Sequence, residues 1–211
     1  MIDFAAYLPG FAAAYAILLV AASSPGPAVA MLLGIGTTRG RAPALVAAVG
    51  IATGSIVLNL GTQFGIGVVL ADAAWAMTVV RWVGAAYLAW LAVGAFRKAA
   101  TPPEIRVADV APLPSWRYFV MGMLLQVTNV KAIVFWIAIA SVGATTGGGA
   151  GVILAFVAGA FVVSTTIHGA WALALSSNPV RTLYARARRW VEGALGVFFA
   201  VAAFKLATTE R

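Results

Sequence analysis

Lys131 is the residue of this chain whose surroundings most strongly indicate chemistry. It ends the polar cluster Gln126-Val127-Thr128-Asn129-Val130-Lys131, which interrupts an otherwise apolar segment. Lys131 follows Arg117 by about 14 residues, roughly 21 Å of helix, which places it near the middle of a bilayer. A lysine at that depth costs about 3 kcal/mol and is expected to face protein or water. We interpret it as a cation for an anionic substrate group, or as a partner for freed backbone carbonyls; the two are compatible.

The segment Ser23-Ser24-Pro25-Gly26-Pro27 interrupts the apolar run of residues 4–38. About 20 helical residues cross a bilayer core, so this run is too long for one straight span. Proline cannot donate a backbone hydrogen bond and glycine adds freedom, which predicts a broken helix. Ser24 suits an N-cap and Pro27 the first turn of a new helix, whose N-terminus would attract a carboxylate or phosphate. A proline kink that eases packing is the alternative.

Four further polar residues within apolar segments are candidate functional residues. His168 is the best candidate for a proton carrier, because its unperturbed pKa lies nearest the physiological range; an interhelical hydrogen bond is the alternative. Glu192 could reach the same level, or could pair with a neighbouring arginine at the start of its helix. Asn59 and Gln63 stand one turn apart and are expected to line a cavity or hold helices together.

The composition indicates a membrane protein. The chain has 211 residues, of which 63% are hydrophobic and 9% charged, so lipid must be its main solvent. The net charge of +8 comes from short basic segments between apolar runs, which indicates topology rather than nucleic-acid binding. The absence of cysteine excludes disulfides, thiol redox chemistry and cysteine metal sites. We expect no metal, no cofactor and no enzymatic activity.

Hydropathy predicts an all-α integral membrane protein of six spans, the first of them broken at Pro25-Gly26-Pro27. The segment between the third and fourth spans is rich in proline and mixed in charge, which is typical of a linker. We also predict that residues 176–188 connect the last two spans. The predicted spans are 4–37, 42–70, 75–96, 116–142, 150–175 and 189–208.

The basic residues predict the orientation. Ten of the 14 Lys and Arg residues lie in or beside the first, third and fifth loops. The positive-inside rule places these loops in the cytoplasm of a bacterial inner membrane and both termini outside. The ten are Arg39, Arg41, Arg97, Lys98, Arg106, Arg117, Arg181, Arg186, Arg188 and Arg189.

The two halves of the chain share a sequence pattern. Arg81-Trp82-Val83 opens the third span and Arg189-Trp190-Val191 opens the sixth. We predict a single transmembrane domain of two repeats, residues 4–98 and 115–208, joined by a linker of residues 99–114. Because each half holds three spans, an odd number, the second repeat must be inverted relative to the first. Inverted repeats with broken helices at matching places are common in secondary transporters, so the fourth span should contain a weak point that matches the break in the first.

The chain resembles the LysE/RhtB family of amino-acid exporters. The resemblance rests on Ser24-Pro25-Gly26-Pro27, Arg39-Gly40-Arg41, Gly84-Ala85-Ala86-Tyr87-Leu88 and Asn129-Val130-Lys131. It implies a six-span inner-membrane protein that exports amino acids or close derivatives by proton-driven antiport. The family usually has Asn-Pro-Lys in the fourth span, so Val130 is a departure, and a second helix break is not implied there.

We therefore expect an exporter of small zwitterionic or amphipathic amino acids. The N-terminal end of the helix at Gly26 and Pro27, together with Lys131, would hold the carboxylate. Asn129, Gln126 and carbonyls near Ser23 would hold the ammonium group, and His168 with Glu192 would carry the proton.

Other functions and assemblies stay open at this point. An exporter of a metal ion or small cation is the alternative function, although its usual carboxylate and cysteine ligands are missing at mid-depth. A membrane redox carrier would need a cysteine pair, and the absence of cysteine excludes it. The expected partners are a small-molecule substrate and the lipid bilayer, and surface glycines and alanines would suit a homodimer as well as internal packing.

Overall fold

A computed structural model describes residues 4–72, 74–101 and 112–208. These residues form helices and short connections, and they contain no β-strand. A short 3₁₀ turn over Phe4–Tyr7 leads into the first α-helix. The α-helices are α1 (Leu8–Ser23), α2 (Pro27–Thr38), α3 (Arg41–Asp72), α4 (Ala74–Ala100), α5 (Ser115–Thr128), α6 (Val130–Ser141), α7 (Ala150–Leu175) and α8 (Asn178–Thr208).

Several of these helices could cross a membrane. Among the described residues, Phe4–Ser23, Arg41–Phe64 and Ala150–Leu175 are long and apolar enough. The bent pair α5 and α6 adds a fourth candidate span. The fold is therefore all-helical and that of a membrane protein, while six spans in inverted repeats stay a prediction.

The chain divides into two compact units. The first unit comprises Met1–Ile66 and Val107–Ser177, and the second comprises Gly67–Arg106 and Asn178–Arg211. The first unit thus contains α1, α2, most of α3, α5, α6 and α7. In the second unit α4 packs along α8, and the ring of Phe96 occupies the space beside Gly196.

The predicted break of the first apolar run is confirmed. Helix α1 ends at Ser23 and α2 begins at Pro27. The prediction that Ser24 caps α2 is wrong, because Gly26 is the N-cap of α2 and Ser24 is the C-cap of α1. Pro27 requires an extended residue before it, which Gly26 supplies, while the Ser24 hydroxyl donates to the carbonyl of Ala21 at 2.9 Å.

The fourth predicted span is also broken, although it lacks the proline. Helices α5 and α6 meet at Asn129 with a bend of 63°. Asn129 is extended (φ −76°, ψ 105°), and its side-chain oxygen accepts a hydrogen bond from the backbone N–H of Lys131 at 3.1 Å. An asparagine cap therefore starts α6 in place of a proline.

Two apolar clusters pack the first unit. The α2/α3 cluster consists of Ala28, Leu32, Ile35, Ala44, Ala47, Ala48, Ile51, Tyr118 and Ala172. The α1/α7 cluster consists of Ala14, Leu18, Trp136, Ile139, Ala144, Phe156 and Ala160. Close packing of α3 on α5 depends on glycine, because a methyl group at Gly50 or Gly122 would collide with the backbone of the other helix.

The last helix begins earlier than hydropathy predicts. Residues 176–188 were expected to form a connection, but α8 starts at Asn178 and continues to Thr208. Its first turns are rich in arginine, which favours a helix as well as an apolar residue does. Hydropathy detects only the apolar part of such a helix.

Candidate functional site

A small cavity lies inside the first unit where the two helix breaks meet. Its walls include Ser24, Gly26 and Pro27 from the first break, and Asn129 and Lys131 from the second. Its volume of about 40 Å³ has room for roughly three water molecules. The cavity is therefore compact in this conformation.

The cavity lies between the two apolar clusters. Along α3, Ile51 belongs to the α2/α3 cluster, Ser55 lines the cavity, and Leu58 packs against the α1/α7 cluster. Leu18 and Trp136 of the α1/α7 cluster also form part of the cavity wall. Apolar packing thus closes the polar cavity toward both ends of α3.

Lys131 connects the two breaks directly. Its ammonium group donates to the carbonyl of Ser24 at 2.9 Å and also contacts the hydroxyl of Ser24. Ser24 is only 2% exposed, so this carbonyl, left without a helical partner by the break, is satisfied inside the protein. Gly26 makes the approach possible, because a methyl group there would lie 3.3 Å from the Lys131 nitrogen.

The N-termini of two helices face this cavity. Gly26, the N-cap of α2, has no side chain to bond the first N–H groups of that helix. Ala28 and Val29, in the first turn of α2, line the cavity. At α6, Asn129 caps the amide of Lys131. Backbone N–H groups and the positive ends of two helix dipoles therefore add to the lysine charge, an arrangement that attracts anions.

A buried series of hydrogen bonds extends from the cavity to His168. The amide nitrogen of Gln126 donates to the Ser55 hydroxyl at 2.9 Å, and that hydroxyl lies 3.4 Å from the hydroxyl of Ser164. The Ser164 hydroxyl is 3.2 Å from His168 Nδ1, which also lies 2.9 Å from the Ser164 carbonyl. All four side chains are buried, and His168 is 4% exposed.

Ser55 and Ser164 were not among the predicted site residues. Single serines are common in membrane helices and draw little attention by themselves. Their spacing was a usable signal, because Ser55 lies four residues before Asn59 and Ser164 four residues before His168. Residues four apart share a helix face.

The cavity gathers most of the predicted site residues but not all of them. Ser24, Gly26, Pro27, Gln126, Asn129, Lys131 and His168 line it. Pro25 is part of the same break, and Asn59 and Gln63 lie further along α3 in the first unit.

Glu192 belongs to the second unit, where it is 2% exposed and lies 4.0 Å from Nε of Arg188. This geometry matches the alternative in which Glu192 pairs with an arginine at the start of its helix. Within the part of the chain that the structure describes, no three His, Asp or Glu side chains cluster closely enough to hold a metal ion.

Three similar proteins are named as amino-acid efflux proteins. The threonine efflux protein of Salmonella typhi is 29% identical over 195 residues, which cover 86% of this chain and 89% of that protein. The threonine efflux protein of Escherichia coli (strain K12) is 27% identical over 193 residues, with the same coverage of 86% and 89%. The leucine efflux protein of Klebsiella pneumoniae is 30% identical over 131 residues, which cover 62% of this chain and 59% of that protein.

No solved structure matches the chain. The family model of the LysE type translocators, however, matches residues 19–210, which include both helix breaks and every residue of the cavity wall except Leu18. The chain therefore belongs to the LysE type translocator family, and it is a transporter rather than an enzyme.

Proposed function

We propose that this chain exports a small zwitterionic amino acid from the bacterial cytoplasm through the cavity of the first unit. The observation that carries the proposal is the Lys131 ammonium, which lies at the meeting point of two helix breaks and bonds to the Ser24 carbonyl. The names of the threonine and leucine efflux relatives support an amino acid as the substrate.

The cavity has a suitable donor set for a carboxylate. Lys131 would supply the positive charge, and the first turn of α2 after Gly26 and Pro27 would supply backbone N–H donors. A carboxylate would replace the Ser24 carbonyl as the partner of the ammonium group. Broken helices in transporters present their N-termini to anionic substrate groups in this way.

The acceptors for the substrate ammonium are oxygen atoms at the same cavity. Gln126 uses its nitrogen for Ser55, which leaves its oxygen as the acceptor. The side-chain oxygen of Asn129 and the carbonyls near Ser23 complete the set. Because both charged ends of the substrate are recognised, the proposal predicts selection for α-amino acids over simple amines or carboxylic acids.

We infer that export is coupled to protons by antiport and that His168 carries the proton. The series from Gln126 through Ser55 and Ser164 to His168 supports this role, because it joins a substrate-binding group to a titratable group. Glu192, which lies 4.0 Å from Nε of Arg188, is the second proposed proton-linked residue. Export of a metal or other cation, the alternative function, has no support from the names of the relatives.

The proposal is tested by transport in proteoliposomes loaded with labelled threonine or leucine. Lys131→Ala is expected to lower export roughly thirtyfold or more, since losing one partner of a desolvated charge pair costs about 2–5 kcal/mol. Lys131→Arg keeps the charge and should retain part of the activity.

The matched control is Lys205→Ala, which removes an exposed lysine of α8 in the second unit. It should leave export unchanged. Export by Lys131→Ala at the rate of this control would refute the assignment of the site.

A further inference from the structure

Three polar residues follow one another along the same face of α3. Ser55, Asn59 and Gln63 are spaced by four residues, so they form a stripe that rises about 12 Å along the helix. Ser55 stands at the cavity wall. The stripe therefore leads from the cavity toward the end of the first unit where residues 142–149 join α6 to α7.

Asn59, in the middle of this stripe, lacks partners for its amide. Its side chain is 1% exposed, and both its nitrogen and its oxygen are buried without a hydrogen-bond partner among the described residues. A buried amide that stays unpaired is costly, and such groups in proteins are nearly always paired with protein or water. A group that carries both donors and an acceptor matches the two charged ends of an amino acid.

The outer end of the stripe is closed by a hydrogen bond. The hydroxyl of Thr145 donates to Oε1 of Gln63 at 2.9 Å. Ala144, the neighbour of Thr145, packs so tightly on α1 that a methyl group at Gly10 would lie 3.0 Å from its Cα atom. The segment that carries Thr145 thus covers this end of the unit.

We propose that Asn59 is a second binding station for the zwitterionic amino acid, on the path between the cavity and the Thr145 side of the unit. The Gln63–Thr145 hydrogen bond closes that path and separates when the substrate leaves. This inference rests on the proposed function. Asn59 would exchange hydrogen bonds with the substrate after it has left Lys131.

Thiol labelling tests the station directly, because the chain contains no cysteine of its own. Asn59→Cys in proteoliposomes should react with 2-aminoethyl methanethiosulfonate. L-threonine at ten times its KM should slow that reaction about tenfold, since about nine sites in ten are then filled. The matched control is Val57→Cys on another face of α3. Because that side chain is exposed on a candidate membrane span, we expect it to face lipid and to resist this charged reagent with or without threonine.

A transport measurement separates a binding role from a structural one. Asn59→Leu removes the unpaired amide at similar volume, so its thermal stability should equal or exceed that of the wild type. Its export of threonine should nevertheless fall about tenfold, the effect of one lost hydrogen bond to a charged group. Thr53→Val, which loses only a bond to the carbonyl of Val49 on the same helix, should export normally.

Either of two results would overturn the station. Labelling of Asn59→Cys that threonine does not slow would show that the reagent reaches the position but threonine does not bind there. Normal export by Asn59→Leu would show that the amide takes no part in transport. If wild type and Thr53→Val also fail to export threonine or leucine, the proposed function itself is wrong, which is a different outcome.

Discussion

At the residue scale, the candidate site depends on a contact between one charged and one very small residue. The Lys131 ammonium bonds to Ser24 while its chain lies against Gly26. Gly26 is extended (φ −176°), so its backbone conformation is open to any residue and does not explain the glycine. What Gly26 provides is space for the lysine.

Gly26→Ala is therefore expected to impair binding more than folding. The added methyl would lie 3.3 Å from the ammonium nitrogen and 3.5 Å from Cδ of Lys131, which displaces the charge from the first turn of α2. We expect KM for threonine to rise about three- to tenfold, a loss of roughly 0.7–1.4 kcal/mol. Counterflow at a series of threonine concentrations measures this KM.

Gly61→Ala on α3 is the matched control, because nothing lies within 4 Å of the added methyl. It should leave KM unchanged and raise the free energy of unfolding by about 0.5–1 kcal/mol, since glycine weakens a helix interior. An equal KM for the two variants would contradict the role given to Gly26.

At the element scale, the same local geometry arises from two different sequences. The first break has two prolines around a glycine, and its N-cap makes no side-chain bond. The second has no proline, and the side chain of Asn129 starts α6 instead. A helix can thus be ended by removing backbone donors or by offering the backbone a competing side-chain partner.

Val130→Pro is expected to be tolerated. Val130 is the first residue of α6, where the amide has no acceptor within the helix, and Asn129 already has the extended conformation that a following proline requires. We expect the free energy of unfolding in detergent to change by less than about 1 kcal/mol, with export retained.

Val134→Pro changes the same residue type one turn further into α6. There proline removes a helical hydrogen bond, and the cost should be about 3 kcal/mol. Equal destabilisation by the two prolines would show that α5 and α6 form one continuous helix.

At the scale of the whole molecule, the first unit is a polar cavity enclosed by apolar packing. The α2/α3 cluster and the α1/α7 cluster lie on either side of it along α3. Release of an amino acid on one side requires one cluster to open while the other stays closed. At the α1/α7 cluster, Tyr15 stacks on Phe156 with ring centroids 5.3 Å apart.

The distribution of basic residues predicts which side of the membrane each connection faces. Thr146→Cys, in the exposed connection between α6 and α7, should react with a membrane-impermeant maleimide added to intact spheroplasts. Ser177→Cys, between α7 and α8, should react only after the membrane is opened, because it adjoins the arginine-rich start of α8. The reverse pattern would place both termini in the cytoplasm and turn the proposed export path around.

Much of the first unit was predictable from local sequence. The break at Pro25-Gly26-Pro27 was predicted correctly, because proline removes backbone donors wherever the chain goes. The inverted repeat predicted a weak point in the fourth span but not whether the helix breaks at Asn129, since an asparagine ends a helix only when tertiary packing favours the bend. The early start of α8 was missed because hydropathy detects burial in lipid and not helix formation.

Four properties can be inferred without a structure: the membrane medium, the helical class, the family resemblance and the residue types that could bind a zwitterion. These follow from composition and local spacing, which need no knowledge of contacts. Two sets of contacts are visible only in the folded chain. Lys131 bonds to the Ser24 carbonyl across 107 residues, and Ser55 and Ser164 link Gln126 to His168. Those contacts depend on which helices pack together, and the grouping of helices into two units is set by long-range packing that no local pattern encodes.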